Sequence, residues 1–292
     1  MQLRRVPIVY AFMGWRWALI GMGLIAGNAV GQIQVDLKFP RLQYIAYEPV
    51  VATLTITNLA GRDVDLRNNS AQPWFGFEVS GSEGQSIPQI SKITTEPLAV
   101  AAGQRVTRKV NLTPLYGVHD FGTYRVRAHI SFGDPSKFYY STTRVFEVTD
   151  ARPIWQKTVG IPDKGDALGN ARTYSLMTNR FPDHTSLYVR VEDKDSGTVF
   201  ATYSLGQIIA FDQPQVEFDR SNQLHVLYCS APRRWAYARV GLNGELVSRA
   251  SFTETKSRPR LVHSNDGVIK VAGGMMDATV TQAAHGLGPN GQ

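Results

Sequence analysis

Asp120-Phe121-Gly122-Thr123-Tyr124-Arg125-Val126 is where the chain first declares its architecture. Asp120 has a short carboxylate able to bond its own turn, and Gly122 tolerates a strained corner. Tyr124 opens an apolar alternation through Val126, Ala128 and Ile130, the period of two that marks a half-buried strand. The same period recurs on either side. It predicts strands near 33–39, 50–57, 74–79, 105–112, 124–132 and 138–148, with a weaker one at 87–93, each bounded by turn residues. Within 50–57 the inward set is Ala52, Leu54 and Ile56, with Thr53, Thr55 and Thr57 outward; 58–62 then turns the chain.

The heptapeptide resembles the D-x-G-x-Y-x-C corner of immunoglobulin-type sandwiches. Val126 stands where an antibody domain has its second cysteine, Leu54 where the first would lie, and Trp74 about where the family places its core tryptophan. The resemblance implies that the Tyr124 hydroxyl returns to the backbone upstream, and that 32–150 is a disulfide-free sandwich held by Leu54, Trp74 and Val126 between its sheets. The Glu48-Pro49-Val50 entry and the turn at 58–61 are similar to accessory sandwich modules of secreted bacterial and macroglobulin-type proteins.

Ahead of this region, 1–31 reads as a secretory signal peptide. Arg4 and Arg5 precede an apolar run, uninterrupted from Ala18 to Ala26, and Ala29-Val30-Gly31 offers small residues for cleavage before Gln32. An uncleaved anchor is the competing reading, opposed by Arg16 in mid-segment. Nothing after residue 31 is long and apolar enough to cross a bilayer, so the sequence places the body outside the cytoplasm, periplasmic or secreted, with no membrane span after cleavage. A hydrophobic fraction of 43% against 19% charged residues excludes wholesale disorder. The formal charge of +7 includes three leader arginines, and the remaining mild excess is too interspersed for a nucleic-acid partner. Cys229 is the single cysteine, which rules out an intramolecular disulfide or a multi-cysteine metal site and suggests a small apolar strand residue.

Past a Pro-punctuated boundary at 150–162 comes an internal repeat. Pro214-Gln215-Val216-Glu217-Phe218 leads through a turn at 219–222 to a strand at 224–228; forty-five positions on, Pro259-Arg260-Leu261-Val262-His263 leads through a turn at 265–267 to a strand at 268–271. Asn243-Gly244 between them predicts a two-residue type I′ hairpin. An earlier copy is drawn from 186–191 to 209. Strands and turns at this period, without helices, are similar to propeller blades, and 193–200 resembles a degenerate Asp-box, with Asp195, Gly197 and Phe200 at its matching positions. About three units fit 151–281, too few to close a ring, so an open stack of twisted sheets is expected, with 282–292 as a disordered tail. The whole reads as all-β: an immunoglobulin-like sandwich followed by an antiparallel β domain of about three propeller-blade-like repeats.

Two groups carry the functional expectations. Asp193 and Asp195, with Glu192 beside them, could supply oxygens to a calcium ion from one loop, against a plain solvated turn; no other cofactor is suggested. Arg233, Trp235, Tyr237 and Arg239 share one face of an extended strand, which could stack on a sugar or hold an anionic polysaccharide; the alternative packs the aromatics inward. His119-Asp120 is read as part of the corner. No G-x-S-x-G, H-E-x-x-H or phosphate-cradling loop occurs. The function expected is an exported, non-enzymatic binding or scaffolding protein of the envelope or exterior, with a glycan or protein ligand and oligomerisation open. A carbohydrate-active hydrolase with carboxylates in the second domain, and a structural subunit of an envelope assembly, are the rivals.

Overall fold

Strict alternation builds the first half of the molecule. The computed structural model describes residues 33–68, 72–134, 137–161, 171–209, 211–264 and 267–277, so the leader and the tail lie outside the described residues. The chain runs β1 (Ile33–Lys38), β2 (Gln43–Ile45), β3 (Val51–Asn58), β4 (Val64–Leu66), β5 (Phe75–Ser80), β6 (Ser86–Ile87), β7 (Leu98–Val100), β8 (Arg105–Asn111), the short α1 (Thr113–Tyr116), β9 (Gly122–Ser131), β10 (Phe138–Tyr140) and β11 (Arg144–Thr149). One sheet has the order β1-β3-β8; the second is β2-β11-β9-β5-β6, with β10 also on β9, and β4 pairs with β7. All these pairs are antiparallel except β2 with β11. In β3, Ala52, Leu54 and Ile56 are buried while Thr53, Thr55 and Thr57 stay half-exposed, the alternation expected of a strand with one face on a core.

Both sheets contribute to one apolar cluster in which Leu54, Trp74, Tyr124 and Val126 are all buried. The Tyr124 hydroxyl donates to the Asp120 carbonyl at 2.9 Å, and its ring stacks on Phe146 at 5.4 Å. Gly122 sits at φ +137°, and a Cβ there would come within 2.5 Å of Ser82 Oγ; that hydroxyl accepts the Thr123 N–H at 2.8 Å. Glycine at the corner thus serves both backbone conformation and close approach. Two expected strands differ. The segment 87–93 yields only the end of β6, because Pro88 has no N–H to continue a ladder. The segment 138–148 is split into β10 and β11 at Ser141, whose buried hydroxyl accepts the Ala128 N–H at 3.0 Å.

The second half runs β12 (Arg152–Gly160), β13 (Ala171–Arg180), β14 (Thr185–Asp193), β15 (Val199–Gln207), β16 (Gln215–Phe218), β17 (Leu224–Ala231), β18 (Arg234–Val240), β19 (Leu246–Thr253), β20 (Arg260–His263), β21 (Ile269–Ala272) and β22 (Met275–Met276). These form the antiparallel sheets β12-β13-β14-β15 and β16-β17-β18-β19-β22 and the pair β20-β21, in a propeller-like arrangement. The two larger sheets share a core in which Tyr174, Leu176, Leu187, Val189 and Val191 join Leu224, Val226, Tyr228, Ala238 and Val240.

The forty-five-residue repeat reappears as turn geometry. Asn222 at φ +57° and Gly267 at φ +77° hold equivalent left-handed positions, each donating its N–H three residues back, to Asp219 at 3.0 Å and to Ser264 at 2.8 Å. The earlier copy differs in phase from the sequence expectation. Strand β14 is third in its sheet, the place of β18, so the hairpin that corresponds to β16-β17 is β12-β13.

The hairpin at Asn243-Gly244 also differs. Gly241 N–H donates to Glu245 O at 2.9 Å and Gly244 N–H to Gly241 O at 3.1 Å, while Gly244 alone has positive φ, +81°. That is a three-residue loop with a left-handed last residue, not a type I′ turn. It is set by packing: a Cβ on Gly244 would lie 2.4 Å from Ala201 Cβ on the neighbouring sheet.

Candidate functional site

The strand expected to carry ligand contacts is β18. Trp235, Tyr237 and Arg239 do share one of its faces, but Arg233 lies outside it, in the preceding turn at φ +61°. The face is covered at Trp235, while Tyr237 and Arg239 are half-buried. Trp235 is 1% exposed and packs with Leu227, Cys229 and Phe252, beside Leu261 and Val271 of the β20-β21 hairpin. Its indole N–H donates to Glu254 Oε2 at 3.2 Å, and the Arg258 guanidinium lies 4.4 Å from the ring centroid. A sugar cannot reach this ring. Arg233 donates to the Glu254 carbonyl at 3.1 Å, and so helps to close the same corner. The strand pattern gave the face its correct parity; what lay over it depends on a hairpin twenty-five residues downstream.

Beside the tryptophan the same face carries a hydrogen-bonded chain that no sequence motif announces. Tyr237 Oη lies 2.8 Å from His225 Nδ1, and His225 Nε2 lies 3.2 Å from Asp219 Oδ2. The other Asp219 oxygen accepts the Ser221 N–H at 2.8 Å and the Gln223 N–H at 2.9 Å. Burial lowers the His225 pKa, and the Asp219 carboxylate only partly offsets it. Burial acts to raise Asp219 too, yet the Gln223 N–H, His225 and the Ser221 N–H together bring it below the usual carboxylate range. A neutral imidazole donating to Asp219 therefore accepts a hydrogen bond from the Tyr237 hydroxyl. Burial also raises the Tyr237 pKa, which keeps the phenol protonated and makes it a poor nucleophile. The chain ties the β16-β17 turn to β18. Its members come from a turn and two strands, and only the cross-strand register, with His225 opposite Arg239 and Leu227 opposite Tyr237, brings them together.

At the end of β14 the structure divides the expected calcium ligands. Asp193 Oδ1 accepts the Asp195 N–H at 3.0 Å, the Ser196 N–H at 2.8 Å and the Ser196 hydroxyl at 3.0 Å. Its Oδ2 takes Arg172 Nη1 at 2.6 Å, both side chains being buried. The Ser196 N–H leads the interactions that hold the Asp193 carboxyl below its ordinary range. Asp195 contributes an N–H and lies in the turn, beyond the strand. The carboxylate that organises this Asp-box-like loop is therefore Asp193, not Asp195. Both oxygens of the Asp193 carboxylate are thus engaged, one by the turn and one by Arg172. Among the described residues no group of three or more His, Cys, Asp or Glu side chains is placed to hold a metal ion.

A groove of about 660 Å³ opens instead on the sandwich, between the 38–42 segment and β11. Phe39, Leu42, Thr123, Arg144, Val145 and Glu147 line it, with Leu42 75% and Val145 46% exposed. Its wall is fixed by Arg144, whose Nε donates to the Leu37 carbonyl at 2.7 Å. Sequence reasoning missed it. The only local signal is Phe39-Pro40 at the end of β1, where a proline interrupts the chain just before it reaches β11.

No protein-family model and no curated protein matches the chain.

Proposed function

We propose that the chain is an exported, non-enzymatic binding or scaffolding protein of the cell envelope or exterior, with a protein ligand. One observation carries the reading. The side chains that chemistry would need are engaged inside the fold: Asp219 with its turn and His225, His225 with Tyr237, and Asp193 with its turn and Arg172. What the described surface offers a partner is an apolar groove and exposed strand edge. With Trp235 buried, the glycan form of the reading loses its stacking platform, so a protein ligand is preferred. The leader pattern at 1–31 supports export. The division into an immunoglobulin-like spacer at 32–150 and a repeated unit at 151–281 belongs to the same proposal.

A structural subunit of an envelope assembly is the second reading, favoured by β12. That edge strand has nine residues, nearly all exposed, and among the described residues it pairs with β13 alone. The test is to probe the full chain in parallel on a peptide array, a glycan array and a panel of chromogenic glycosides. Peptide binding without glycoside turnover is the expected result. Glycoside release would overturn the non-enzymatic reading, and glycan binding with a silent peptide array would overturn the choice of a protein ligand.

A further inference from the structure

We propose that the open outer edge of β11, together with the groove beside it, is a docking site for an extended segment of a protein partner. The inference rests on the reading above that the ligand is a protein, and it names where that ligand sits.

The argument starts from the β11 backbone. The Glu147 N–H donates to the Leu42 carbonyl at 2.8 Å, and the Thr149 carbonyl accepts the Ala46 N–H at 3.1 Å, so both residues turn their peptide groups toward β2. Strand geometry repeats every second residue, which turns the N–H and C=O of Val145 toward the same edge. Strand β2, however, covers only Glu147 to Thr149. Among the described residues no strand lies against that edge at Arg144–Phe146, whose one ladder runs to β9 on the other side.

The short reach of β2 has a cause. Extending its parallel register back by two residues would set Arg41 opposite Val145. Arg41 is instead drawn away, its guanidinium donating to Glu48 at 2.5 Å and to the Tyr188 hydroxyl at 3.0 Å, and Pro40 ahead of it cannot donate to a ladder. The gap between the departing chain and β11 is the groove.

The occupant follows from what lines that gap. An extended backbone continues the pairing that β2 has already begun, with Val145 as donor and acceptor; this is addition of a strand to a sheet edge. An apolar side chain fits between Leu42 and Phe39. Lys38, 70% exposed and 3.5 Å from Asp36, and Glu147 both line the gap, and ask for an acidic residue at one end of the segment and a basic or hydroxyl residue at the other. The volume is in the range that small ligands and short peptide segments occupy. The predicted ligand is therefore a short, extended, alternating segment with charges of opposite sign at its ends.

The experiment measures binding of the full chain to twelve-residue synthetic peptides that alternate apolar and polar residues, with acidic and basic ends in both orders. Two variants probe the site. Val145→Pro removes the edge N–H, and Leu42→Glu places a charge on an exposed apolar wall, where folding does not depend on it. Ile154→Glu, on the exposed face of β12, is the control. Binding of one charge order, lost by about tenfold or more in both variants and kept in the control, is the expected result. Binding that survives both variants would overturn the site while leaving a protein ligand in place. A silent peptide set with wild-type chain would overturn site and protein-ligand reading together.

Discussion

Trp235 shows most plainly how one residue's environment changes its meaning. As a bare letter between arginines it suits a sugar platform; in the fold it is a core side chain with its N–H on Glu254 and Arg258 across its face. Trp235→Ala is expected to cost about 3–5 kcal/mol, the scale of large core deletions, in urea unfolding followed by circular dichroism. Tyr124→Phe removes only the corner hydrogen bond and should cost about 1 kcal/mol in the same assay. The histidines set a pH dependence. Burial lowers the pKa of both His225 and His129, so the unfolded chain takes up protons first. Their contribution is fully present above the ordinary histidine pKa of about 6.5 and is lost as pH falls through the lowered folded values. The urea midpoint should therefore drop on going from pH 7.5 toward 5.5, and the drop should shrink in His225→Gln. A drop unchanged by that substitution would remove His225 from the explanation.

Elements were legible where their cause is local. The run from Tyr124 through Ile130 and the inward set of β3 follow from period two alone, and the forty-five-residue repeat returns as paired turns at Asn222 and Gly267. Elements shaped by contact with another sheet were not legible. The loop at Gly244 takes its form because it tucks against Ala201 and Val191 of β14 and β15; an Asn-Gly pair carries no trace of that neighbour. The same reason hid the candidate site, since the β11 edge is defined by where β2 stops. Gly244→Ala should be destabilising by about 1–2 kcal/mol from the left-handed backbone alone, with a further loss from the contact with Ala201, read as a lowered urea midpoint. A neutral substitution would mean that the loop relaxes away from the first sheet.

At the scale of the molecule, one polar knot joins the sandwich to the repeated sheets. Arg41 bridges Glu48 and the hydroxyl of Tyr188 on β14, and Arg190 donates to the Ala46 carbonyl at 2.7 Å. Ile45, Ala151, Met177 and Tyr188 pack beneath it. Arg41→Met would strand the buried Glu48 carboxylate. The loss should be about 2 kcal/mol, under the roughly 3–5 kcal/mol of a fully buried pair because the Arg41 side chain is 35% exposed. Desolvation already raises the Glu48 pKa, and losing Arg41 raises it further. A carboxyl raised in the folded state favours that state at low pH and ceases to do so as pH rises through its folded pKa. The variant should thus lose less stability at pH 5 than at pH 8, and an equal loss at both would contradict the stranded carboxylate. The same knot draws Arg41 away from β11 and leaves the edge on which the proposed function depends. Amide hydrogen exchange on the unliganded full chain tests that edge directly, residue by residue. The Val145 amide, facing the groove, should exchange about a hundredfold or more faster than the Phe146 amide, which faces β9. Equal protection of the two would mean that the edge is already covered, and the docking account would fall.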